Sequence, residues 1–157
     1  MKKIRIALII PTLAVLLCGA WLISQSHAQD ESPQFDHVAV YVHDMQKSVE
    51  FYEKVMGLKR IPDPFKDGRH VFFRIGEHAQ LHLVGGATAV MEHDINIHTA
   101  FRVASVPAFI AHLDKMHVPY RNFKGDGKVG TRVDGVTQVY IQDPDGYWIE
   151  VNDVNRG

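Results

Sequence analysis

Cysteine is nearly absent from this 157-residue chain, with Cys18 standing alone. A single thiol excludes a disulfide framework and a thiolate metal cage, so the core has to carry the stability. Basic clusters are missing too. Seventeen Lys and Arg are set against eighteen Asp and Glu, and no stretch gathers the cations into the patch that nucleic acid needs. The one long apolar run, Ile6 to Ile23, follows Lys2, Lys3 and Arg5. Ser26-His27-Ala28 then offers the small residues of a cleavage site. Residues 1–28 are expected to be a signal peptide, with an uncleaved membrane anchor as the alternative because the run is long and contains Pro11. Leu17 before Cys18 argues against a lipoprotein. Cleavage leaves 129 residues and moves the formal charge from −1 to −4, since the leader holds three cations and no acid. The expected location is periplasmic or secreted, with neither a nucleic-acid partner nor a membrane contact after cleavage.

What the chain does have is histidine, ten in all and scattered, and a pattern that occurs twice. After a polar linker at 29–34, Phe35–Val42 alternates as a strand, with Val38, Val40 and Val42 on one face and His37, Ala39 and Tyr41 on the other. Asp44 can cap a helix from Met45 to Met56, closed by Gly57. Leu58–Ile61, His70–Ile75 and Ala79–Val84 read as three strands. Residues 85–95 connect. Ile97–Val103 is again a strand, Ser105 caps a helix over Val106–Met116, and Val118–Arg121, Val136–Gln142 and Tyr147–Asn152 are three further strands. The last two are joined by Asp143-Pro-Asp-Gly146, where Pro presets φ, the Asp side chains bond nearby backbone and Gly supplies a positive φ. A loop with four glycines fills 123–135.

The repeat has a register. An offset of 61 takes His37 to His98, Val42 to Val103 and Val55 to Met116. In the last strands the offset is 68, so Leu81-His82-Leu83 meets Ile149-Glu150-Val151. Equivalent places thus hold His37 with His98, and His82 with Glu150. Glu150 lies between apolar neighbours, where a buried carboxylate needs a cation or a metal beside it; a solvated strand position is the plainer alternative.

Asp36-His-Val-Ala-Val-Tyr-Val42, Phe51-Tyr52 before Gly57-Leu58, His98-Thr-Ala-Phe-Arg-Val103 and Asp143-Pro-Asp-Gly-Tyr-Trp-Ile-Glu150, in that order, resemble the vicinal oxygen chelate superfamily. That group includes glyoxalase I, bleomycin- and fosfomycin-resistance proteins, extradiol dioxygenases and methylmalonyl-CoA epimerase. The resemblance covers 35–153, as modules 35–84 and 96–153. It implies an α+β fold of two tandem βαβββ modules forming a cupped mixed β-sheet around a metal site. Its ligand rule falls here on His37, His82, His98 and Glu150. Resemblance to glyoxalase I also implies a homodimer whose sites draw modules from two chains. His82 departs from the pattern, since glyoxalase I proteins usually carry Glu or Gln there.

Three imidazoles and one carboxylate suit one divalent transition metal (Zn, Ni, Co or Fe(II)) better than Mg or Ca. The expected activity is that of a metal-dependent lyase or isomerase acting on vicinal oxygens of a small molecule, with Glu150 as catalytic base. An Fe(II) extradiol-type dioxygenase using His37, His98 and Glu150 is the first alternative, and a non-catalytic drug or metabolite binder the second. Arg102 shares a strand face with His98, and Trp148 shares one with Glu150, so both are candidate substrate-binding residues. The histidines of turns and connectors, His43, His78 and His93, and those near the second helix, His112 and His117, are expected to be solvated.

Overall fold

The alternating strands pair as two separate four-stranded sheets, one per module, in the computed structural model, which describes residues 32–155. The expected leader and the first half of the linker lie outside those residues. The first module runs β1 (His37–Val42), α1 (Met45–Glu50) continued by a π-helical turn (Phe51–Val55), β2 (Lys59–Ile61), β3 (His70–Arg74) and β4 (Gln80–Gly85). The second runs β5 (His98–Arg102), α2 (Val106–Lys115), β6 (Gly130–Thr131), β7 (Thr137–Gln142) and β8 (Trp148–Asn152). The strand orders are β1-β4-β3-β2 and β5-β8-β7-β6, with β1 parallel to β4, β5 parallel to β8 and the other pairs antiparallel. The fold class is the expected one: α+β, two tandem βαβββ modules.

Period-2 alternation sends Val40, Val42, Leu81 and Leu83 to one face of the first sheet, and Val139, Ile141, Ile149 and Val151 to one face of the second. These faces, with Val49, Tyr52, Val106 and Leu113 from the helical segments, merge in one core. Consequently the faces bearing His37, His82, His98 and Glu150 are the ones turned away from that core.

Two local expectations are corrected. The first helix is not α-helical to Met56: Met56 N–H reaches back five residues to Phe51 O, and Leu58 N–H bonds Tyr52 O. The wider turn narrows the angle between neighbouring side chains, so Phe51 and Tyr52 both pack inward. Gly57 closes it at φ +67. In the second module, 118–121 is not a strand but a single bridge, Arg121 to Tyr140. Pro119 removes a ladder donor there, and Gly130–Thr131, inside the glycine-bearing loop, pairs with the start of β7 instead.

The Asp143–Gly146 turn ties the modules together. Asp143 Oδ1 accepts from the backbone N–H of Asp145 (3.0 Å) and Tyr147 (2.9 Å). Its Oδ2 accepts from the Tyr52 hydroxyl at 2.8 Å. Asp145 accepts from His43 N–H and the Ser48 hydroxyl, both at 2.6 Å. The two carboxylates are 5% and 3% exposed. Gly146 has φ +88, and a Cβ there would sit 2.3 Å from Met91 O, so no other residue fits.

Burial pushes Asp143 above the usual carboxylate range, while the bond from Tyr52 pulls it back. The Tyr52 hydroxyl therefore favours the ionised form in the fold, and its loss matters only where Asp143 is ionised. Tyr52→Phe should cost about 1.5–3 kcal/mol at pH 7, the worth of a hydrogen bond to a charged group. The penalty should shrink as pH falls through the range where the folded Asp143 takes a proton. Urea unfolding at pH 7 and pH 4 checks this. Equal penalties at both would show that the ionisation of Asp143 is not involved.

Candidate functional site

The chemistry-bearing face of the second sheet is assembled by register. Across β7 and β8, Gln142 faces Trp148, Tyr140 faces Glu150 and Gln138 faces Asn152. Across β5 and β8, His98 lies beside Trp148 and Arg102 beside Asn152. Glu150 is buried, 6% exposed, and both its oxygens are held. Oε2 accepts from the Tyr140 hydroxyl and Oε1 from Asn152 Nδ2, each at 2.5 Å. Burial, then the bond to Glu150, pushes the Tyr140 phenol well above its usual range, so it stays protonated and donating.

His98 supplies the third contact. Its Nδ1 lies 2.8 Å from Ile95 O. A carbonyl only accepts, so that nitrogen carries the proton and the Nε2 lone pair is free. Nε2 faces Glu150 Oε2 at 3.4 Å. Two acceptors turned toward each other suit a cation between them, and hydrogen-bonding the distal imidazole nitrogen is how proteins orient a metal-binding histidine.

In the first module His37 and His82 stack, with ring centroids 4.3 Å apart and planes 13° from parallel. His37 Nδ1 is 2.5 Å from Asp36 Oδ2, which fixes its proton there and leaves Nε2 free. His82 Nε2 contacts Gln80 Oε1 at 2.9 Å. Burial, reinforced by the charge of His37, holds His82 below the usual imidazole range and so in the neutral, lone-pair-bearing form. Phe72 closes over its ring at 4.1 Å.

The fold brings the four expected ligands together as two pairs, His37 with His82 and His98 with Glu150. It does not gather them into one cluster: among the described residues no three His, Cys, Asp or Glu side chains come close enough to hold an ion. The donor types of the two pairs fit a divalent transition metal. His37 and His98 open β1 and β5, which are the outer strands of their sheets.

A family model described as Glyoxalase/Bleomycin resistance protein/Dioxygenase superfamily matches residues 34–151. The chain belongs to this superfamily. Its members generally use a divalent metal, bind small-molecule substrates and commonly form dimers. Lactoylglutathione lyase of Pseudomonas putida is 25% identical over 74% of this chain and 83% of its own length. Among solved structures, a glyoxalase family protein of Bacillus anthracis matches with TM-score 0.65 at 22% identity, over 81% of this chain and 99% of that one. Oxidase ChaP-H2 matches with TM-score 0.64 at 21% identity, over 80% and 97%. These two likenesses share the fold.

The remaining candidates of this superfamily member fall unevenly. Trp148 lines a cavity of about 180 Å³ together with Arg121, Tyr140 and Gln142. Arg102 is exposed at the far end of β5, where it lines one groove together with His98 and another with residues 153–155. His93 is not the solvated connector residue expected. It is half-buried, its ring stacks on Tyr147 at 3.9 Å, and its carbonyl accepts from Trp148 Nε1 at 2.8 Å. The linking segment folds back on the last strand, and that covers it. His112 is likewise tied down, its Nε2 lying 3.0 Å from Lys54 O.

Tyr140, Asn152, Asp36 and Arg121 are functional-site residues that sequence reasoning missed. Counting outward from the 143–146 turn would have set Tyr140 opposite Glu150, so that one had a signal. Arg121 had none, because its bridge to Tyr140 closes across a long loop. The bonds to Glu150 carry a measurable consequence. Tyr140→Phe leaves a buried charged acceptor short of a donor and should cost about 1–3 kcal/mol. Its urea midpoint should fall with an unchanged slope. An unaltered midpoint would mean that the carboxylate finds water instead.

Proposed function

We propose that the protein is an exported metal-dependent lyase or isomerase of the glyoxalase I type, working as a homodimer. The observation that carries this is His98 Nε2 and Glu150 Oε2 converging at 3.4 Å, with the proton of His98 committed elsewhere. In this reading the His37–His82 pair of one chain and the His98–Glu150 pair of a second chain surround one ion. The outer strands β1 and β5 carry His37 and His98, with His82 and Glu150 on the neighbouring β4 and β8, and an unpaired outer edge is what a second copy can extend. Phe35 and Ile97, just before these strands, are 65% and 76% exposed, which suits burial against a partner. Export rests on the leader at 1–28.

A divalent ion, when bound, supplies a Lewis acid for two adjacent substrate oxygens. The chain's own residues move the proton. Asn152 anchors Glu150 Oε1, so the carboxylate keeps its aim. The Glu150 carboxylate takes the proton from the hydroxyl-bearing carbon beside the carbonyl and returns it to the carbonyl carbon, while the hydroxyl proton passes to the former carbonyl oxygen, which leaves the reaction redox-neutral. The Tyr140 hydroxyl stays against Oε2 and stabilises its charged form. Phe72 covers one side of the His82 ring.

His82 favours the Fe(II) dioxygenase as a second reading. With imidazole where glyoxalases carry a carboxylate or amide, Glu150 is the only charged ligand, and two His with one carboxylate is the oxygenase pattern. Oxygen uptake with catechols against anaerobic isomerisation of hemithioacetals separates the two.

Purified protein should carry on the order of one transition metal ion per chain, and His98→Ala or Glu150→Ala should lose it. The shared site has a sharper test. A chain with His37→Ala and His82→Ala should not hold metal alone, nor should one with His98→Ala and Glu150→Ala. Refolded together, they should recover about one ion per mixed dimer, or about one per four chains when pairing is random, because a mixed dimer rebuilds one of two sites. Recovery of none would place each site within a single chain. No metal binding by the unaltered protein would end the reading.

A further inference from the structure

The short segment after α2 brings Arg121 to the same sheet face as Glu150. Arg121 and Tyr140 exchange backbone hydrogen bonds at 3.0 and 2.8 Å, and residues so paired across antiparallel chains point to one side. Tyr140 in turn pairs with Glu150. The Arg121 guanidinium lies over the Trp148 ring, 4.7 Å from its centroid. Stacking of this kind uses the face of a guanidinium and leaves its Nη–H groups able to donate. Arg121 Nε is buried without a hydrogen-bond partner, and no acid pairs with Arg121 among the described residues. A buried unsatisfied donor is costly unless something supplies an acceptor. The cavity of about 180 Å³ that these groups line is otherwise walled by Pro119, Ile141 and Tyr140.

We propose that this cavity is a carboxylate-recognition pocket, and that Arg121 selects small acidic substrates with an aryl or short alkyl body. A carboxylate can accept from the two Nη–H groups side by side, which matches the guanidinium fork. The apolar walls and Trp148 cover the body. Larger and more heavily hydrated oxyanions are disfavoured by the same walls. Bound in this way, the substrate extends past Tyr140 toward His98 and Glu150. Arg121 is thus a specificity residue, standing apart from the proton transfer. The location of the chemistry rests on the function proposed above, whereas recognition of the carboxylate does not.

The test uses the chelator-stripped chain and benzoate, with benzamide as the neutral isostere, read by calorimetry and by ligand-observed NMR. Benzoate should bind at least tenfold more tightly than benzamide. Arg121→Gln should erase that preference, and Arg121→Lys, which keeps charge and stem but loses the fork, should erase most of it. Equal affinity for the two ligands in the unaltered chain overturns the proposal without need of any variant. So does a preference that survives Arg121→Gln. Metal content of each protein is measured in parallel. Benzoate preference without metal binding would refute only the metal reading, and metal binding without benzoate preference would refute only the pocket.

Discussion

The arrangement of the whole molecule depends on two buried carboxylates in one turn. Asp143 and Asp145 accept five hydrogen bonds, from Asp145 N, Tyr147 N, Tyr52, His43 N and Ser48. Three of the donors belong to the first module and two to the turn itself. An ionised carboxylate inside a protein is tolerated only when its lone pairs are filled, so the turn can be buried only if α1 and the π-helical turn lie where they do. The same turn starts β8, which carries Trp148, Glu150 and Asn152. The joint between modules and the placement of the reactive carboxylate are therefore one constraint.

From that constraint follows the division of labour between sheet faces. One face of each sheet enters the common core. The other is left free to carry polar groups, and it does so densely: His98, Arg121, Tyr140, Trp148, Glu150 and Asn152 share the face of the second sheet. Glu150 is buried there because a phenol and an amide replace the water it loses. His37 and His82 repeat the theme more sparsely, and their partners Asp36 and Gln80 again leave ring nitrogens free. Each pair spans an outer strand and its neighbour, β1 with β4 and β5 with β8.

Much of this was legible beforehand because it follows from period and turn chemistry. The offsets that matched His37 to His98 and His82 to Glu150 placed each of them at equivalent positions of equivalent strands, as observed. Gly57 and Gly146 were read as positive-φ residues, and both are. The short elements read less well. The π-helical turn depends on Phe51 and Tyr52 packing together into a core that both modules supply. The 118–121 segment alternates like a strand, but Pro119 and the length of the following loop hand the pairing to Gly130–Thr131. His93 looked like a connector residue because nothing local shows that Tyr147 will cover its ring.

The sequence by itself determined the repeated β-α-β-β-β order, the faces on which the histidines and Glu150 stand, and the turn that starts β8, since each follows from spacing within some ten residues. Tertiary structure alone decided which side chains complete them. Arg121 reaches the face of Glu150 through a bridge to Tyr140 that closes across a loop. Tyr52 and Ser48 find Asp143 and Asp145 over separations of 91 and 97 residues. The four candidate residues divide two and two because both sheets turn their apolar faces to a single core, and no local pattern records how two sheets share one interior.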